Sequence, residues 1–133
     1  MRTRLPQIIF TVGLLVVVVL LLAVPQRRLT YNPNTETTIE GTVQEVQNYY
    51  CPVSGGEGTH LVVATASGGV QVHLAPRGFL RMQNWNFQVG DHVRIVGSEM
   101  TYGAHADMVA RTISRDGFTV AVRRPDGKPV WIN

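Results

Sequence analysis

A chain of 133 residues with 44% apolar positions has room for one small domain, and a formal charge of +3 with an isoelectric point near 9.5 first suggests an anionic partner. Much of the apolar share lies in one uncharged run at 8–24, and four of the twelve basic residues flank that run. From Leu29 onward eight basic residues face nine acids, so the domain itself carries about −1 and lacks the drive that phosphate neutralisation gives nucleic-acid binders.

The run "IIFTVGLLVVVVLLLAV", extended by Leu5 and Pro6 in front and Pro25 behind, reaches about 20 residues, the length that a hydrocarbon core of about 30 Å requires. Arg2 and Arg4 precede it, as they would precede a secretion signal or a signal-anchor. The following "LLAVPQRR" offers only Ala23 with a proline two residues on, a poor cleavage site, and no cysteine follows closely enough for lipid attachment. The expected organisation is a cytoplasmic tail at 1–4, a transmembrane signal-anchor at 5–25, a linker at 26–36 and a folded domain at 37–133. Arg27 and Arg28 balance the arginines in front, so the short amino-terminal tail decides orientation. It favours a single-pass protein of the inner membrane with its domain on the periplasmic side; a reversed anchor with a cytoplasmic domain stays open.

Beyond the linker the pattern changes to period two with β-branched residues. "TTIEGTVQEVQNYY" (37–50) predicts a first strand, bent near Gly41 and bulged around Glu45 and Val46. "THLVVATASGGVQVHLAP" (59–76) predicts a hairpin turning at Gly68-Gly69. "PRGFLRMQNWN" (76–86) predicts one short helix with Pro76 at its first position and Phe79, Leu80 and Met82 as its apolar face. "QVGDHVRIVGSEMTY" (88–102) gives a Gly-Asp turn and a fourth strand. The last stretch, 106–133, gives a fifth strand, a tight Asp116-Gly117 turn and a terminal hairpin. The predicted core is Ile39, Val43, Leu61, Val63, Val70, Val72, Leu74, Phe79, Val93, Ile95, Val109 and Ile113.

Three strands, a short helix and two more strands follow the order of the five-stranded oligomer-binding (OB) Greek-key barrel, an all-β fold. "VQVHLAPRGFL", "VGDHVRIVGSEM" and "VARTISRDG" together resemble the small extracytoplasmic OB-fold proteins of bacteria, over roughly 37–117. The resemblance implies the barrel and its turns and names no ligand. The hairpin at 118–131 is an addition to that plan, with Trp131 expected to close one end of the barrel.

"YYCPVSGGEGTH" (49–60) then becomes the connection between the first two strands, expected to be exposed and mobile because of Gly55-Gly56. Cys51 stands without a second cysteine for a thiolate pair. It reads either as a thiol open to a mixed disulfide or as a free one packed by Tyr49 or Tyr50. With the hairpin turning at Gly68-Gly69, His73 would lie opposite Ala64 and about 13 Å from His60, at about 3.3 Å per residue, too far to share a small ion. Both histidines are expected to look outward. A softer set, His105, Met108 and Met100 with Cys51, suits Cu(I), as in the periplasmic copper chaperones that are small OB-like barrels. The haem chaperones of cytochrome c maturation share the layout of anchor and outward barrel. The histidine and tyrosine that those proteins use have no counterpart in "DGKPVWIN".

No nucleophile elbow, phosphate loop, zinc-protease or dinucleotide motif is present, so catalysis is not expected. The outward hairpin face carries neither aromatic residue nor positive charge, so an oligonucleotide is not favoured. The reading that remains is a tethered binding module without a resident cofactor. It would contact an envelope protein through Cys51, His60, Gln71, His73 and His105, with copper or haem handling as the alternative.

Overall fold

The computed structural model describes residues 30–102 and 105–132. The predicted anchor at 5–25 lies outside these residues, and no helix among the described residues is long and apolar enough to cross a membrane. The end of the predicted linker packs on the domain. A 3-10 turn at Pro33–Thr35 is capped by the Asn32 side chain, and the Asn32 amide donates to Ser98 Oγ at 3.0 Å. Tyr31 donates to Glu36, which Arg111 grips with two hydrogen bonds of 2.7 Å. Burial and the Glu36 carboxylate push the Tyr31 hydroxyl up to about 12.

Six strands and one helix follow: β1 (Glu36–Cys51), β2 (Gly56–Thr65), β3 (Gly68–Pro76), α1 (Arg77–Met82), β4 (His92–Tyr102), β5 (His105–Arg115) and β6 (Phe118–Ala121). Adjacent strands run antiparallel in the order β3-β2-β1-β4-β5-β6, and a parallel pairing of β3 with β5 closes the first five into a barrel. That seam is short, spanning only Gln71 to His73 opposite Asp107 to Val109. β6 then takes over the edge of β5 that β3 leaves.

β1 serves two partners. Its first half pairs with β4 and its second with β2, and Gly41-Thr42 is the crossover point. A Cβ at Gly41 would lie 2.1 Å from the Ala64 carbonyl oxygen, so glycine is what allows β1 to approach β2 there. The expected bulge occurs between Val43 and Glu45, slightly earlier than predicted. A second irregularity at Thr59 and His60 leaves Leu74 without an opposite residue. The expected turn at Asp116-Gly117 is present, with φ of +54° and +80°.

Val43, Leu61, Val63, Val72, Leu74, Val93, Ile95 and Ile113 fill the barrel as predicted. Ile39, Val70 and Phe79 are only partly buried and pack against its edge. Leu80, not Phe79, is the buried residue of α1, and Met82 is 76% exposed because the helix ends there. Pro76 precedes the helix instead of opening it. Met108 and Ala110 join the interior, while Val109 alternates to the other face of β5, buried beside the seam.

The chain after β6 forms a narrow hairpin bridged at Arg123 and Pro129, in which Val130 N–H donates to Val122 O at 3.2 Å and Arg124 N–H to Lys128 O at 2.9 Å. Trp131 is partly buried against the core cluster, where it packs on Phe79 and the Arg123 guanidinium lies 4.9 Å from its ring centre. Arg123 is 3% exposed and donates to Leu74 O at 3.0 Å and Ala110 O at 2.5 Å, bridging β3 and β5 where their ladder has ended. Burial pushes its guanidinium down to about 10, so it is charged at neutral pH.

Candidate metal centre

The hairpin of β2 and β3 turns two residues earlier than its Gly-Gly pair suggests. Ala66 and Ser67 form the turn, Thr65 Oγ1 donates to Gly68 O at 2.8 Å, and Gly68 takes φ of +124° at the exit. The register therefore differs from the predicted one by four positions, and His73 faces His60 instead of Ala64. An even slip keeps every side chain on its predicted face, so the core was assigned correctly while the distance between the histidines was not. Their ring centres lie 4.8 Å apart, edge to face.

Neither histidine is exposed. His60 is 1% and His73 7% accessible, because the far end of β1 curls over this outer face of the barrel. Tyr49 stacks flat on His60 with ring centres 3.9 Å apart, and Gln71 donates to the Tyr49 hydroxyl. Cys51, 2% accessible, closes the third side. The expected mobile loop after it is a tight turn in which the amides of Ser54 and Gly55 both donate to Cys51 O, at 3.2 and 2.9 Å. Gly58 makes the fit possible: a Cβ there would lie 2.5 Å from Ser54 Oγ and 2.8 Å from Cys51 Cβ.

The three potential ligand atoms of Cys51, His60 and His73 all lie within 4.8 Å of one another. Cys51 Sγ is 3.5 Å from His73 Nδ1. The other nitrogen of that ring, Nε2, bonds Asp107 Oδ2 at 3.1 Å across the seam. Asp107 is 6% accessible, and its Oδ1 has no partner among the described residues. Both ring nitrogens of His60 are likewise buried without a hydrogen-bond partner. An imidazole buried with both nitrogens unsatisfied is costly, and a ligand at one of them would remove part of that cost.

Burial would by itself push the Cys51 thiol up. Interactions with His60, His73 and Ser54 outweigh it and bring the thiol down to about 5. Burial likewise opposes protonation of His73, and the bonds to Cys51 and Asp107 overcome it and raise the imidazole above its ordinary range. Each of the two groups thus favours the charged form of the other. The ultraviolet absorbance of the Cys51 thiolate is expected to titrate with a midpoint near 5 and to survive at neutral pH, where an ordinary thiol would be protonated. His73→Ala should move that midpoint upward; an unchanged midpoint would show that the histidine does not hold the thiolate.

The residues proposed from sequence separate into two groups. Cys51, His60 and His73 come together, with Gln71 half-buried at their rim, and the burial of the first three corrects their assignment as an exposed protein-docking surface. The softer set does not assemble around Cys51. His105 is exposed at the start of β5, Met108 is 1% accessible inside the barrel, and Met100 lies beside Met108 in a shallow depression. Tyr49 was expected only to pack on Cys51, and Gly58 and Asp107 only to lie in contact loops at 51–60 and 101–107; the bond from His73 to Asp107 becomes visible only when β3 is paired with β5.

All three donors and Asp107 fall within residues 35–120, which match the model of the MamS/MamX magnetosome protein family. The chain belongs to this family. The match runs from the start of β1 into β6 and stops short of Arg123. No curated protein matches the chain.

Proposed function

We propose that this member of the MamS/MamX family is a membrane-tethered OB-type domain on the extracytoplasmic side that binds a transition-metal ion through Cys51, His60 and His73. The observation that carries the reading is the buried convergence of the Cys51 sulfur and two imidazoles, with both nitrogens of His60 unpartnered among the described residues. Asp107 behind His73 supplies the carboxylate that commonly orients a ligating imidazole and fixes which nitrogen faces the ion. The closed five-stranded barrel with a helix between β3 and β4 supports the OB-type assignment. The apolar run at 8–24 supports the tether, and the magnetosome family supports a membrane-associated setting.

The role is binding and not turnover: the domain holds an ion near the membrane for a protein partner of the envelope. Native mass spectrometry of the full chain, exchanged in turn with Zn(II), Co(II), Fe(II) and copper, tests this. One retained ion per chain, lost in Cys51→Ser and in His60→Ala, is the expected result. Retention of no ion, or equal retention by both variants, would overturn it.

A further inference from the structure

The donor set and its surroundings select among ions. We infer that the centre formed by Cys51, His60 and His73 is a three-coordinate Cu(I) site, an assignment that rests on the metal reading above.

Three observations support it. The first is ligand chemistry: one thiolate and two imidazoles are soft to borderline donors, which suit Cu(I) and Zn(II) and are poor for Mg, Ca or Mn. The second is coordination number. Zinc in a closed site takes four protein ligands, and in an open one it keeps a position for water. Here the donor group comprises three residues among those described, each no more than 7% accessible. Tyr49 lies flat over His60, and Asp107 is engaged with the His73 nitrogen remote from Cys51. Cu(I), a filled-shell monocation, accepts a trigonal set without a fourth ligand.

The third observation is charge. A metal-bound thiol is deprotonated outright, so Cys51 contributes −1 in the loaded state. Asp107 is buried beside His73, and Arg123 is buried where β3 and β5 meet, donating to Leu74 O and Ala110 O. These fixed charges sum to −1, which a monovalent ion cancels and a divalent ion overshoots. Uncompensated charge is expensive in an interior of low polarity, so the neutral assembly is favoured.

The test uses the full chain in detergent micelles under anaerobic conditions. Cu(I) is titrated against the chromogenic chelator bicinchoninate, Zn(II) and Co(II) are titrated separately, and X-ray absorption is recorded on each loaded form. The expected result is one equivalent of Cu(I) retained against the chelator, with a spectrum of three ligands, one sulfur and two nitrogens. Cys51→Ser should weaken Cu(I) at least about 100-fold. Asp107→Asn, which keeps the shape of the side chain, should weaken it about 10- to 100-fold without changing the number of ligands. A four-coordinate thiolate spectrum with Co(II) or Zn(II), together with loss of Cu(I) to bicinchoninate, would overturn the copper assignment and leave the metal reading standing. If none of the three ions binds, the copper assignment falls, and the metal reading falls with it when Fe(II) is not retained either. If Cys51→Ser loses its fold, the Asp107→Asn variant and the spectrum of the unaltered chain still decide between these results.

Discussion

Replacing Arg123 with methionine is expected to lower unfolding stability by about 2–5 kcal/mol, seen as a lower urea midpoint with an unchanged slope. The guanidinium donates to Leu74 O and Ala110 O at the place where the β3–β5 ladder stops after His73 and Val109. Methionine fills similar space but donates nothing, so two buried carbonyls lose their partner, at about 1–3 kcal/mol each. Part of the loss is offset, since a buried cation facing carbonyl oxygens and no carboxylate is itself costly to desolvate. The contact with Trp131, 4.9 Å from the guanidinium, also disappears. A change below about 1 kcal/mol would show that the two carbonyls find other donors and that Arg123 is not what holds this part of the seam.

Gly41→Ala is expected to be at least as damaging, about 3 kcal/mol or more, the upper end of what overpacking costs. An added methyl group would sit 2.1 Å from Ala64 O, 2.8 Å from Ala64 C and 2.9 Å from Val63 Cγ1. Two of those three atoms belong to backbone, which cannot rotate away as the tip of a side chain can. Gly41 also lies where β1 passes from β4 to β2, so a shift there loosens both ladders. Urea denaturation followed by tryptophan fluorescence measures the loss; a variant as stable as the parent would mean that the crossover is wider than described.

The strand sequence and most of the core were legible because they depend on alternation alone. Leu61, Val63, Val72 and Ile95 needed only to be placed on a face, and period two does that. The Asp116-Gly117 turn was legible for a similar reason, since Asp-Gly tolerates the positive φ that both residues adopt. Gly68-Gly69 carried the same kind of signal and misled. Gly68 is needed at the exit of the turn, and the hydroxyl of Thr65 organises the turn itself. That misplacement moved His73 along its strand and away from His60, although both histidines had been put on the correct face.

Asp107 and Arg123 were illegible for a different reason. Asp107 is 34 positions from His73 and Arg123 is 49 from Leu74, and both act only once a nonlocal seam has formed. Local pattern carries no information about such pairs. Burial of the outer hairpin face was hidden in the same way, because it comes from the curl of β1, which brings Tyr49 and Cys51 over His60.

The short seam also bears on the order in which the molecule assembles. Cys51, His60 and His73 lie on three successive antiparallel strands, whereas Asp107 arrives with β5. Closing short loops costs less entropy than closing long ones, so the β1–β2–β3 meander and the β4–β5 hairpin form ahead of the β3–β5 seam. Hydrogen-exchange labelling during refolding should find the amides that pair β1 with β2 and β4 with β5 protected before those that pair β3 with β5. Cys51, His60 and His73 therefore come together before the seam exists, and Asp107 reaches His73 only as β3 and β5 pair.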